Sequence, residues 1–208
     1  MALRIVLIVI VFGPLIVFGG FLVWAAIQDG RDERRSKRVT RGEGADYPAP
    51  VASESTDGAG VVLEINIARR REELPAPVDR VQAVEAQGLV GDRKFAEEPR
   101  AEDDRDRDLT LIAAEALEGL FAETGVELTA AESRRNLVTR GIELNALLGH
   151  PFRVGPVECE GIELCEPCSH LEGLTKPGVL RGLVHRGGLR AAIRRGGEIA
   201  VGDVVVPL

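Results

Sequence analysis

Phe152-Arg153-Val154-Gly155-Pro156-Val157-Glu158-Cys159-Glu160-Gly161-Ile162-Glu163-Leu164 places two short β-type runs on either side of a glycine turn. The first, Phe152 to Val154, and the second, Val157 to Leu164, set the class of the fold, because the same punctuation recurs along the chain. Val61 to Ile67 is β-branched and partly alternating, as a strand should be. Val78 to Glu85, Asn136 to Thr139 and Glu198 to Val206 read as further strands, and Gly88 and Gly91 punctuate a turn after the first of these. Helical spacing shows in Ala113, Ala116, Leu117, Leu120 and Phe121, over Ala113 to Thr124, with Gly125 as the C-cap. Ile142 to Leu148 predicts a short helix stopped by Gly149, Asp92 to Asp108 a solvated charged loop, and Val179 to Ile193 follows neither period. The expected fold is mainly β with short helices (α+β), closed or nearly closed into a barrel that hides its strand edges.

Composition bounds the rest. The 208 residues hold one domain with appendages, 45% apolar and 28% charged. Aromatics are 4%, so the core must be built from Val, Leu, Ile and Ala. A net charge of −7 argues against a general nucleic-acid binder. Three cysteines, all between Cys159 and Cys168, argue for reduced or reactive thiols rather than a disulfide framework. The segment Ile5 to Ile27 reads as one transmembrane helix, roughly 34 Å long against a hydrocarbon core of about 30 Å. Arg31, Arg34, Arg35, Lys37, Arg38 and Arg41 follow it, which predicts a single-pass inner-membrane protein with its soluble domain in the cytoplasm. A cleaved secretory signal, cut near Ala25-Ala26, is the rival reading. The expected divisions are an anchor over 1–28, a charged and then Pro-, Ala- and Gly-rich linker over 29–60, and a domain over 61–208.

Chemistry concentrates in Leu164-Cys165-Glu166-Pro167-Cys168-Ser169-His170-Leu171. A thiolate is both a soft ligand and a good nucleophile, and Pro167 fixes the backbone just before Cys168. Buried structural thiols, a zinc site from Cys159, Cys165, Cys168 and His170, and a dithiol redox pair remain open on these residues. Three glycine-flanked basic clusters accompany the motif: Gly88 to Lys94 with Arg93; Arg134 to Gly141 with Arg135, Asn136, Thr139 and Arg140; and His185 to Arg190 with His185 and Arg186. Such residues can cradle an anion, through backbone N–H groups and bidentate guanidinium contacts.

Taken in order, Glu85-Ala86-Gln87-Gly88-Leu89-Val90-Gly91-Asp92-Arg93, Arg135 to Ile142, Leu147-Leu148-Gly149 with Phe152 to Gly155, Cys165-Glu166-Pro167-Cys168, Gly182 to Gly188 and Ile199 to Asp203 resemble the MOSC family, named for the C-terminal domain of molybdenum cofactor sulfurases. The resemblance implies a β-rich barrel-like fold with one key cysteine, best matched by Cys168, with Cys165 second. In reductase members, such as the mitochondrial amidoxime-reducing component, that cysteine binds molybdenum held by a pterin dithiolene (molybdopterin). Sulfurase members work with a pyridoxal-phosphate-dependent cysteine desulfurase. The chain lacks the additional N-terminal barrel portion of the eukaryotic reductases and is nearer the compact bacterial forms.

Two functions follow as expectations. In the first, an oxidoreductase reduces N-hydroxylated small molecules at a molybdenum ligated by Cys168, fed by an electron-donor protein. Arg93, Arg135, Asn136, Thr139, Arg140, His185 and Arg186 would then be candidates to hold the cofactor. In the second, a sulfur carrier passes a Cys168 persulfide onward from a desulfurase partner, with Cys165 as resolving thiol.

Overall fold

The computed structural model describes residues 58–208. The expected membrane anchor and nearly all of the expected linker lie outside the described residues. Among the described residues no helix is long and apolar enough to cross a membrane.

Strands are numbered in chain order. β1 (Gly60–Ile67), β2 (Ala76–Val78), β3 (Arg80–Val84), β4 (Gly88–Leu89), β5 (Leu109–Ala113) and β6 (Leu137–Arg140) form the first half. β7 (Pro151–Val154), β8 (Val157–Leu164), β9 (Leu189–Arg195), β10 (Gly197–Ala200) and β11 (Val204–Pro207) form the second. The main sheet runs β11-β7-β8-β9-β5-β6-β1-β2, and β11 also pairs with β1. That added pairing, Gly60 with Val205 and Val61 with Val204, closes the strands from β11 round to β1 into a barrel. Closure satisfies the backbone groups that an open edge would leave to a stray strand. β2 hangs on β1, and β10, β3 and β4 make a separate three-stranded sheet.

Within the barrel only β5 and β6 run parallel. Parallel neighbours need a long crossover, and α1 (Ala114–Thr124) with α2 (Ala130–Ser133) supplies it. Gly125 ends α1 in the left-handed region at φ 70°, its N–H donating to the Phe121 carbonyl, as the sequence predicts. Leu109 and Leu111 of β5 join Val62, Ile65, Leu137, Phe152, Val157, Leu189 and Ile193 in the barrel interior. Ile112 and Val138 pack instead with Leu120, Leu128, Leu171, Val179 and Leu183 in a second core under the helices. α3 (Ser169–Leu174) and α4 (Val179–Gly182) complete that layer.

Several expectations change. Val78 to Glu85 is not one strand: it breaks at Asp79, so β2 serves the barrel and β3 the small sheet. Glu198 to Val206 likewise divides at Val201–Asp203, where Asp203 Oδ2 accepts from the Ala200 N–H at 2.8 Å. β5 has no counterpart among the expected strands, because it is buried on both faces and shows no alternation. The run Val179 to Ile193 is a short helix, a turn over Leu183 to Gly188, and then the start of β9. The charged stretch Asp92 to Asp108 is more than a solvated loop. It contains a 3-10 turn, Glu102–Arg107, with Arg105 and Asp108 both buried. Asp108 Oδ1 accepts from Arg100 Nη1 at 2.7 Å, while Oδ2 accepts from Arg105 Nε at 2.8 Å and the Ile193 N–H at 3.1 Å. One carboxylate therefore stitches the acidic segment to β9.

Candidate functional site

Both features singled out in the sequence, the cysteine motif and the basic segments, meet where β8 leaves the barrel. Leu164 pairs with Leu189 at the end of the β8–β9 ladder, and the Cys165 N–H then donates to the Gly188 carbonyl at 2.7 Å. From there the chain runs through Glu166 and Pro167 to Cys168, the residue before α3. Cys165 is buried and Cys168 exposed. Leu171 sits in the second core, which anchors the first turn after Cys168.

Arg135 fastens this loop from behind. Its Nε donates to the Gly187 carbonyl at 2.9 Å, Nη1 to the Ser133 carbonyl at 3.0 Å and Nη2 to the Cys165 carbonyl at 3.0 Å. The guanidinium is buried and has no carboxylate partner among the described residues. Burial lowers its pKa, and Arg190 adds to the lowering, while Cys165 and Cys168 pull the other way. Gly187 and Gly188 let the turn approach so closely. A Cβ at 187 would strike the Cys165 carbonyl oxygen, and one at 188 the Leu111 carbonyl oxygen. Gly188 also holds φ +109°, which L side chains rarely adopt.

Beside the loop lies a narrow polar cleft of about 10 Å³, room for roughly one water, lined by Asn66, Asp92, Arg93, Lys94, Thr110, Arg134 and Asn136, with Ala68 and Pro75. Asn136 is its floor pin. Its Oδ1 accepts from Thr110 Oγ1 at 2.8 Å, and its Nδ2 donates to the Asn66 carbonyl and Asp92 Oδ2, both at 3.3 Å. Asp92 also accepts from the N–H groups of Ala68 (3.1 Å) and Lys94 (2.9 Å). Asn66 is 1% exposed, yet its side-chain Oδ1 and Nδ2 have no partner. A buried amide without hydrogen bonds costs roughly 1–3 kcal/mol, so its presence beside a cleft marks a place where a ligand can supply the missing bonds.

The cleft is cationic. Lys94 is half-buried and its ammonium has no acceptor among the described residues. Burial lowers its pKa, with Arg190 and Arg93 lowering it further against the opposing pull of Cys165 and Asp92. The link between cleft and cysteine loop is structural: Asn136 pins the cleft floor, and its chain neighbour Arg135 donates to the Cys165 carbonyl. The pKa of Arg134 is lowered first by burial and then by Arg93.

Of the expected cofactor residues, Arg93 and Asn136 line the cleft and Arg135 stands behind the cysteine loop. Thr139, Arg140 and Arg186 are engaged elsewhere, whereas His185 is bonded to the cysteine loop itself through Glu166. Thr139 is wholly buried and donates to the Ile112 carbonyl at 3.4 Å. Arg140 pairs with Glu118 and Arg186 with Glu123, both acids on α1. His185 takes a positive φ of 62°, with its N–H on Glu166 Oε2 at 3.0 Å and Nδ1 3.1 Å from Oε1. Cys159 packs in the barrel core, where burial pushes its thiol far up. Among the described residues no three His, Cys, Asp or Glu side chains gather to hold a metal by themselves. The four-ligand zinc reading therefore falls. Lys94 and Arg134 line the cleft from the basic clusters Gly88 to Lys94 and Arg134 to Gly141, although neither is among the expected cofactor residues. Asn66 and Thr110 are cleft residues outside those clusters, each on a strand of its own, and nothing local in the sequence marks them.

This barrel, with a clamped cysteine loop beside a basic cleft, defines a class rather than a reaction. The family model for the MOSC domain matches residues 85–206, more than half of the chain, and the chain belongs to that family. No curated protein matches the sequence. Among solved structures it resembles the YUAD protein from Bacillus subtilis, with TM-score 0.61 and 14% identity over 71% of this chain and 94% of that one. It also resembles YiiM from Geobacillus stearothermophilus, with TM-score 0.57 and 15% identity over 72% and 75% of the two chains. YiiM from Escherichia coli gives TM-score 0.51 and 17% identity over 71% and 69%. At these identities the likeness is one of fold.

Proposed function

We propose that this MOSC domain binds a molybdenum cofactor and reduces N-hydroxylated small molecules, with Cys168 as the thiolate ligand. One juxtaposition supports it: an exposed cysteine on a clamped loop, beside a cationic cleft that contains a buried amide without partners. The donor set fits such a group. Arg93, Lys94 and Arg134 would hold its phosphate, Asn66 would hydrogen-bond a polar edge, and a thiolate is the soft ligand molybdenum takes. When bound, the cofactor supplies two-electron chemistry. The chain contributes orientation through the Arg135 clamp, and a proton-bearing ammonium, Lys94 Nζ, on the cleft wall. The overall reaction replaces N–OH by N–H, consuming two electrons and two protons and releasing water.

Cys168→Ser should keep the fold and lose both molybdenum and turnover of an amidoxime with a viologen donor, whereas Cys165→Ser should retain most of each. Elemental analysis of purified protein reads the first quantity. Full metal and activity in Cys168→Ser would sink the assignment. The exposure of Cys168 also favours a second reading, a sulfur carrier loaded by a pyridoxal-phosphate-dependent desulfurase. Persulfide labelling at Cys168 without bound molybdenum would select it. For location, the apolar run Ile5 to Ile27 and the basic residues after it support inner-membrane anchoring with a cytoplasmic domain. A phosphatase that works only in the periplasm should be silent when fused at Leu208.

A further inference from the structure

β1 leaves the barrel at Ile67 into Ala68-Arg69-Arg70-Arg71-Glu72-Glu73-Leu74-Pro75. Both ends of this loop are fixed to the cleft. The Ala68 N–H donates to Asp92 Oδ2 at 3.1 Å, Arg134 Nη2 donates to the Arg71 carbonyl at 2.6 Å, and buried Pro75 lines the cleft wall. Between these anchors the loop stands as a crest on the rim, and Arg69, Arg70 and Arg71 are all exposed. Arg70 lies 3.6 Å from Glu73. Neither Arg69 nor Arg71 has an ion-pair partner among the described residues. Leu74, 59% exposed, gives the same crest an apolar point.

The crest is anomalous in a chain of net charge −7. Three consecutive arginines stand over a mouth already lined by Arg93, Lys94 and Arg134. Like charges gathered in this way do nothing for the fold, but they focus a positive field outward and speed encounter with an acidic surface. A small anion would be satisfied by Arg93, Lys94 and Arg134 at the mouth itself. Side chains on the rim are reached only by something large enough to span it. Glu72 and Glu73 interrupt the basic run, which disfavours a uniform polyanion or an anionic bilayer and favours a protein with patterned charge.

We propose that the crest Arg69–Arg71 with Leu74 is the docking surface for an acidic one-electron carrier protein. That the partner is a one-electron carrier rests on the reductase reading; that the crest docks an acidic protein does not. Reduction of one N–OH to N–H takes two electrons and two protons. Two reduced carriers, each oxidised by one electron, supply the former, and solvent supplies the protons.

The test uses the full chain and a plant-type [2Fe–2S] ferredoxin as the acidic probe. Binding should be measurable at about 50 mM salt and weaken at least tenfold by about 300 mM, as screening requires. The double variant Arg69→Glu/Arg71→Glu should also weaken it by about tenfold or more with an unchanged melting temperature. Arg153→Glu, an exposed charge on β7, should bind as the parent does. No binding by the parent at low salt overturns the proposal, as does an unchanged affinity in the double variant. So does binding only to anionic phospholipid vesicles. If the ferredoxin binds as expected but reduced benzyl viologen drives no amidoxime turnover, docking stands and the reductase reading falls. With normal viologen turnover and no ferredoxin binding, docking falls and the reductase reading stands.

Discussion

Arg135 carries a full charge into a place with three carbonyl oxygens and no carboxylate. Arg135→Met removes the buried charge but leaves the Ser133, Cys165 and Gly187 carbonyls unbonded. The net loss should be about 2–4 kcal/mol in urea unfolding. Arg135→Lys should recover only part of it, because one ammonium cannot reproduce the fork that reaches three segments. A methionine variant as stable as the parent would show that the clamp is not needed. Lys94 behaves in the opposite sense. Its lowered folded pKa means that, between that value and the ordinary lysine value, the unfolded chain binds more protons. Stability therefore rises with pH through that window, and charged Lys94 is a net cost at neutral pH. Lys94→Met should raise the melting temperature at pH 7 by about 2 °C. The gain should shrink as the pH approaches the ordinary lysine value, and stabilisation by added phosphate should weaken. Thermal melts across that range read all three effects.

At the scale of elements, the turn that feeds β9 and the end of α1 both use glycine, for different reasons. Gly188 combines φ +109° with a Cβ position already taken by the Leu111 carbonyl. Gly188→Ala should therefore cost more than about 3 kcal/mol and loosen the ladder on which Cys165 begins. Gly125, at φ +70° with nothing near its Cβ position, should cost only about 1 kcal/mol as alanine. Paired urea titrations compare the two directly, and equal losses would show that crowding at the turn does not matter. The same logic explains which elements were legible. α1 and its cap were, because one face packs into the second core and the period survives. β5 was not, since Leu109 and Leu111 face the barrel and Ile112 faces the helices, leaving no polar face to alternate with.

For the whole molecule, the barrel closes through residues at its two ends, Gly60 and Val61 against Val204 and Val205. A chain starting at Thr56 retains every closing strand and should unfold in one cooperative transition. Aggregation of that chain, with the full protein well behaved in detergent, would mean that residues before it contribute to the core. The order of residues alone implies a mainly β domain with short helices, the motif that presents Cys168, and the basic segments of which Arg93 and Asn136 line the cleft. Those features are local: strand and helix periods, turn glycines and thiol spacing survive in any short stretch of chain. Packing in three dimensions was needed to stitch the acidic segment down through buried Asp108, and to bury Cys165 while leaving Cys168 exposed. Packing also turned Arg140 and Arg186 towards acids on α1, and brought Asn66, Lys94, Thr110 and Arg134 to one cleft. Burial and proximity belong to pairs of distant residues, and those pairs exist only once the barrel has closed.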